Sequence, residues 1–257
     1  MDLIQWPKAK YWTSQFNTWI GCKKCSPACE HCYAASMTKR FGGSFEPHLS
    51  KQKNPPKKGV VFCGNMTDLF GEFVPNEDMS ANIADCMLEG RSATYLWLTK
   101  RPKRMAKAIN LIYDRLHSPE YAFQNHYFGF TAENEEWNDT RWRDLVMGWD
   151  AVYGGIPKGV KLWASCEPLL GQIDLTTGGE IDLLSWIVVG AESGPNRRPC
   201  KIEWVESIVE QCVAANIPVF VKQICLPSGK FTNKIEEFPE HLQIRQVPWA
   251  NSEKGEI

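Results

Sequence analysis

Four of the ten cysteines fall within eleven consecutive positions, in the run Gly21-Cys22-Lys23-Lys24-Cys25-Ser26-Pro27-Ala28-Cys29-Glu30-His31-Cys32-Tyr33-Ala34. Thiolates clustered this closely are metal ligands before they are anything else, because each is a soft donor and their common charge needs a cation. A structural zinc site sets two Cys-x-x-Cys knuckles a dozen or more residues apart. Here the pairs Cys22/Cys25 and Cys29/Cys32 are separated by three residues. Four thiolates reach one tetrahedral zinc only through a cramped loop. An iron–sulfur cluster spreads its irons over a cube and takes one thiolate at each, so the spacing favours a cluster over zinc.

Such a loop needs elements to hold it. Six short apolar runs recur along the chain: Gly59–Cys63, Thr94–Leu98, His126–Phe130, Val160–Ala164, Trp186–Val189 and Pro218–Val221. They are nearly continuous rather than alternating, the pattern of strands buried on both faces of a parallel sheet. A seventh strand is predicted over about Phe16–Ile20, just before Cys22. Between the runs lie helical stripes: Met79, Ile83 and Met87; Met105, Ile109, Ile112 and Leu116; Val205, Ile208, Val209 and Cys212. Alternating strand and helix signals predict an α/β fold of right-handed βα units, a full or partial (β/α) TIM-like barrel formed by one domain spanning residues 1–257.

Each run is followed by polar residues. Asn65 and Asp68 follow the first, Thr99, Lys100 and Arg101 the second, Thr131 and Glu133 the third. Glu167, Glu192 with Ser193, and Lys222 with Gln223 follow the others. In a β/α barrel the strand C-termini open onto one face, so these groups would converge there. A carboxylate at such a position accepts hydrogen bonds from vicinal hydroxyls or an amine. The competing reading for Glu133, Glu167 and Glu192 is a salt bridge with Lys100, Arg101 or Lys222. The run Lys100, Arg101, Lys103, Arg104 suits phosphate contacts, or equally a solvated helix start.

Composition excludes several classes. Hydrophobic residues make up 43% and charged residues 23%, enough to bury a full core, and the formal net charge is -1. No global basic field draws the chain to nucleic acid, although a local basic groove fits inside a neutral total. Met1–Lys10 does not read as a signal peptide, and no apolar run approaches the roughly 18 residues of a membrane span. The expectation is therefore a cytoplasmic protein without membrane attachment, whose cysteines serve metal or catalysis rather than disulfides. The polar end, Ser252–Ile257, reads as a frayed terminus.

Cys25-x3-Cys29-x2-Cys32, with His31 before the last cysteine, resembles the signature of the radical S-adenosylmethionine (SAM) superfamily. More specifically, the chain resembles a phage-associated radical-SAM-like family described as a domain of unknown function. The resemblance rests on Asn17-Thr18-Trp19, Gly21-Cys22 and Ser26-Pro27-Ala28-Cys29-Glu30-His31-Cys32-Tyr33-Ala34. It continues through Met66–Phe70, Leu98–Met105, Glu133-Asn134, Glu167–Leu170, Val188–Pro195 and Lys222-Gln223. Two departures matter. The family's first cysteine is the one after the glycine, here Cys22, so Cys22 and Cys25 compete to be third ligand beside Cys29 and Cys32, with Cys25 favoured on loop geometry. Gly64-Asn65-Met66-Thr67-Asp68 stands where many superfamily members carry a Gly-Gly-Glu-like segment that holds the SAM amino group.

The resemblance implies a barrel of the radical SAM type, a [4Fe-4S] cluster on loop 21–34, and SAM as second cofactor. It implies that a reduced cluster passes an electron to SAM, and that the resulting 5′-deoxyadenosyl radical removes hydrogen from the substrate. Tyr33, Asn65, Asp68, Thr131, Glu133 and Glu167 are the candidate cofactor-binding residues, and Lys100, Arg101, Glu192 and Lys222 the candidate catalytic ones. A flavodoxin- or ferredoxin-type electron donor follows as partner, and the host cytoplasm as compartment if the chain is phage-encoded. By the same analogy the substrate is a nucleoside or nucleic-acid base, with phage thymidine hypermodification (an isomerase-type rearrangement) as leading reaction. A DNA-lesion lyase and a non-catalytic, metal-bearing nucleic-acid-binding protein are the alternatives.

Overall fold

Continuous apolar runs become the strands of the sheet. The computed structural model describes residues 4–52, 54–90, 92–116, 119–153 and 155–249; the terminal stretch Ser252–Ile257 lies outside them. The first elements are β1 (Ile4–Gln5), β2 (Ser14–Phe16), β3 (Trp19–Ile20), α1 (Tyr33–Arg40), β4 (His48–Leu49), β5 (Lys58–Cys63) and α2 (Asn76–Glu89). There follow β6 (Ser92–Thr99), α3 (Pro102–Tyr113), α4 (Pro119–Ala122), β7 (His126–Thr131), α5 (Glu135–Tyr153) and β8 (Lys161–Cys166). The last are β9 (Leu184–Gly190), α6 (Ile202–Ala214), β10 (Val219–Cys225), β11 (Phe231–Thr232) and β12 (Gln246–Val247). The fold is mixed α/β with a mostly parallel central sheet of eight strands. The sheet does not close, so a full barrel is not formed: β2 and β11 end the strand order.

The chain divides into two compact units. One comprises residues 12–130 and 140–161 and holds the parallel order β2-β5-β6-β7. Val60, Val61, Tyr95, Leu96 and Phe128 are buried in it, as strands covered on both faces require. Its α3 starts on Pro102, whose missing N–H costs nothing at a first turn, and buries Met105, Ile109 and Ile112. The helix ends at Tyr113, so Leu116 falls beyond the predicted stripe. On α2 the inward stripe is Met79, Ile83 and Cys86, while Met87 is only half-buried. Gly148 lets α5 approach α3: a Cβ there would stand 2.5 Å from the Ala106 methyl.

The other unit comprises residues 1–11, 131–139 and 162–257. It holds β8, β9 and β10 in parallel, with β11 antiparallel to β10. Trp163 and Trp186 pack 5.1 Å apart, and the Tyr11 ring meets Trp186 edge-on at 5.0 Å. Val205, Ile208, Val209 and Cys212 form the buried face of α6, as their spacing predicts. Among the described residues no helix is long and apolar enough to cross a membrane.

The strand predicted over Phe16–Ile20 is two strands. β2 pairs in parallel with β5, whereas β3 turns away and pairs antiparallel with β4. The break falls at Asn17, whose side chain binds the backbone and side chain of the segment after β5 instead of leaving a plain ladder. That diversion starts the excursion carrying the cysteines.

Candidate functional site

The cysteine loop leaves β3 through Gly21, which has φ +87° and backs onto residues 45–46 so closely that a Cβ would lie 2.4 Å from the Glu46 carbonyl oxygen. Gly21 N–H donates to the Met66 carbonyl (3.1 Å), Cys22 N–H to the Phe45 carbonyl (3.1 Å), and the Thr67 hydroxyl to the Gly21 carbonyl (2.6 Å). The loop is thus stitched to the segment following β5. Pro27–Cys29 forms one 3-10 turn, and Cys32 occupies the position just before α1 without a side-chain capping bond.

All four loop thiols are free and half-buried. The Cys25 thiol donates to the Cys29 sulfur, and this bond, helped by Lys100 and by the Ser26 hydroxyl 3.6 Å away, pulls the Cys29 thiol down to about 4 despite burial. The same bond, then burial, pushes Cys25 far up. Burial, followed by the Asp68 charge, pushes Cys22 up to about 11. The hydrogen-bonded pair Cys25 and Cys29 is thus driven in opposite directions, the ordinary outcome when like charges crowd one site.

Behind the loop stands a polar cradle. Asn17 Nδ2 donates to Asn65 Oδ1 (2.7 Å), Met66 N–H donates to Asn17 Oδ1 (3.0 Å), and the Tyr33 hydroxyl donates to the Asn65 carbonyl (2.5 Å). Asp68 is buried and fully engaged: Oδ1 accepts from Phe70 N–H and the Thr99 hydroxyl, and Oδ2 from Lys100 N–H and Arg101 Nη1. Four donors occupy its lone-pair sites. Arg101 also donates through Nε to Glu72 (2.6 Å) and through Nη2 to the Lys23 carbonyl in the cysteine loop (2.9 Å). Burial works against its charge, but Asp68, then Cys25 and Glu72, outweigh it and raise its pKa further. Arg101 and Asp68 thus read as the buttress of the loop.

The structure brings Cys22, Cys25, Cys29, Cys32, Tyr33, Asn65, Asp68, Lys100 and Arg101 into one unit and places Thr131, Glu133, Glu167, Glu192 and Lys222 in the other. There the salt-bridge reading holds for Glu167: Lys222 Nζ lies 2.7 and 2.8 Å from its two oxygens, and Gln223 Nε2 donates to Oε1 at 3.0 Å. Glu192 is also paired, with the guanidinium and backbone N–H of Arg198. Thr131 and Glu133 are buried at the end of β7 and just after it.

Asn17, Glu72 and Arg198 carry contacts that sequence reasoning did not single out as site residues. Glu72 stands four residues beyond Asp68, and Arg198 six beyond Glu192 in an Arg-Arg loop. Short separation from an acidic candidate was the available signal in both.

Among the described residues no three His, Cys, Asp or Glu side chains are gathered into a ready ligand sphere. The donor chemistry nevertheless fits a thiolate-held group: four free thiols on one loop, with the Cys29 thiol pulled down and the cations Lys100 and Arg101 close enough to influence the sulfurs.

A mixed α/β protein with a free-thiol loop buttressed by a buried Arg–Asp pair is the class defined by these observations. The chain belongs to the family described as Protein of unknown function (DUF5131), whose model matches residues 6–240. No curated protein and no solved structure matches it.

Proposed function

We propose that the chain is a radical SAM enzyme acting on a nucleoside or nucleic-acid base, built on a partial β/α barrel. The observation carrying this reading is the cysteine loop: four free, half-buried thiols in eleven residues, anchored to the segment after β5. Cys29, Cys32 and one of Cys22 or Cys25 would hold a [4Fe-4S] cluster. When bound, the cluster with SAM supplies one-electron cleavage of SAM and, through it, hydrogen abstraction from an unactivated carbon. The protein's own residues orient and shield. Arg101 fixes the loop by its bond to the Lys23 carbonyl, and Asp68 fixes Arg101. Asn65 is held from both sides by Asn17 and Tyr33, which presets its amide next to the loop. Thr131, Glu133, Glu167, Glu192 and Lys222 remain candidates for cofactor and substrate contacts, with Glu167 and Glu192 already engaged by the cations Lys222 and Arg198.

A rearranging, isomerase-type reaction on phage thymidine is the leading outcome, and a DNA-lesion lyase the neighbouring one. A flavodoxin- or ferredoxin-type protein would deliver the electron, in the reducing cytoplasm that ten free cysteines suit. The test is anaerobic reconstitution with iron and sulfide, EPR with and without SAM, and mass-spectrometric assay of 5′-deoxyadenosine. A reduced-cluster signal perturbed by SAM, together with 5′-deoxyadenosine, upholds the reading. A loaded protein that neither perceives nor cleaves SAM, or one that takes only zinc, ends it in favour of the non-catalytic binding protein.

A further inference from the structure

Strands β5, β6 and β7 run parallel, so their two ends are distinct places. Asp68 and Arg101 stand beyond the C-termini of β5 and β6, whereas Gly90 precedes β6 and His126 opens β7. The eight residues of β6 set these ends about 25 Å apart. At the N-terminal end lies a cavity of about 420 Å³, lined among others by Cys86, Met87, Leu88, Tyr121, Gln124 and His126. That volume falls within the range of about 300–1,000 Å³ taken by small-molecule sites. His126 is 2% exposed. Trp97 Nε1 can only donate, so its 3.0 Å bond makes His126 Nδ1 the acceptor and puts the ring proton on Nε2. Among the described residues no hydrogen bond engages that N–H, yet it is not sealed in the core, so it opens on the cavity the residue lines. Leu88 and Tyr121 leave most of their side chains in solvent at the same place, and no described lining residue carries a charge. The ammonium of Lys161 is committed to the Gln124 carbonyl and lies over the Tyr127 ring.

We propose that this cavity binds a neutral nitrogen heterocycle, the chemical class of nucleobases and nucleosides, stacked on Tyr121 and accepting a hydrogen bond from His126 Nε2. An anion would enter a wall that offers it no counter-charge, and taking it out of water would go uncompensated. A purely apolar molecule would cover the imidazole N–H and leave it unpaired, which costs the desolvation of that group. A planar ring with a ring-nitrogen or carbonyl acceptor avoids both penalties. It also gains the aromatic contact that the exposed Tyr121 ring offers. The Gln124 carboxamide adds a group that both donates and accepts, as heterocycle edges do. The cavity lies at the end of the sheet away from the cysteine loop, so this inference does not depend on the activity proposed above.

The experiment is a saturation-transfer NMR titration of the full-length chain with adenosine and with thymidine, beside adenosine 5′-monophosphate and indole. At least one nucleoside should bind, and about fivefold or more tighter than either the charged nucleotide or indole, which has an N–H but no acceptor. Tyr121→Ala should weaken that binding by about fivefold or more, the range of losing one stacked base. Val213→Ala, exposed on α6, should bind as the parent does. Long-range ¹H–¹⁵N spectra supply a second measurement. The His126 imidazole signals, assigned by their loss in His126→Asn, should report the Nε2–H tautomer and shift when the nucleoside is added. Absence of binding by both nucleosides at millimolar concentration overturns the site. Equal binding of the nucleotide marks an anion surface, and equal binding of indole marks a plain apolar hole; either overturns it. Binding unchanged by Tyr121→Ala, or His126 signals indifferent to the bound nucleoside, places the ligand elsewhere and overturns it too.

Discussion

Arg101 Nη1 donates to Asp68 Oδ2 across 2.9 Å, and both side chains keep no more than a tenth of their surface in solvent. Removing two charges from water is expensive, and this pair offsets that cost with a nearly complete set of hydrogen bonds. The pair also spans chemistry and scaffold, since the same guanidinium holds the Lys23 carbonyl of the cysteine loop.

Arg101→Met should therefore destabilise the protein by about 3–5 kcal/mol, because it strands a buried carboxylate. Arg101→Lys keeps the charge but loses the fork, so it should fold better than Arg101→Met yet load iron poorly. Urea unfolding gives the first quantity and iron content after reconstitution the second. If Arg101→Met unfolds like the parent, the buttress assignment is wrong.

Acid should weaken the fold through His126. Trp97 Nε1 donates to its Nδ1 at 3.0 Å, so the ring is an acceptor there, and burial, then Lys161, lowers its pKa to about 3. The unfolded state takes up a proton near pH 6.5 that the folded state refuses until about 3. Stability thus falls as pH drops through this window, with a slope approaching ~1.4 kcal/mol per pH unit from this one group. His126→Asn retains an acceptor for Trp97 without titrating. Its unfolding free energy, measured from pH 7 to 4, should depend less steeply on pH than the parent's; equal slopes would sink the assignment.

In the metal-free protein the ten cysteines should react in a fixed order. Iodoacetamide at pH 6 should modify Cys29 first, because the residue is half-buried and Cys25 and Lys100 pull its thiol down to about 4. Cys25→Ala removes the principal donor and should slow Cys29 several-fold. Cys166 and Cys212, pushed up by burial, should stay unmodified until the protein unfolds. Peptide mapping against time checks the order, and early labelling of Cys22 would contradict it.

Gly21→Ala should disturb the loop selectively. Its positive φ disfavours any side chain, and a Cβ would collide with the Glu46 and Phe45 carbonyls, which are backbone and cannot rotate away. We expect a loss of about 1–3 kcal/mol and reduced iron uptake, with far-UV circular dichroism nearly unchanged. Full iron loading by the variant would show that the loop tolerates a different entry path.

The sequence by itself determined the strand and helix cores, because continuous Val/Ile/Phe/Trp runs and 3.6-residue stripes have few other ways to leave water: β5, β6, β7, β9 and the buried face of α6 lie where the pattern puts them. It also determined the thiol cluster, whose residues are neighbours along the chain. What it did not contain was pairing over distance. Asp68 meets Arg101 across 33 positions, and Lys222 meets Glu167 across 55. Which carboxylate is occupied by which cation depends on strand order and register, which local pattern does not encode. Closure is of the same kind. Seven strand signals fit a full barrel, but whether a sheet closes depends on the pairing of its two edge strands, and β2 and β11 end the strand order instead. Likewise the strand predicted over Phe16–Ile20 breaks at Asn17, whose side chain binds Asn65 and Met66, and that contact exists only in the folded chain.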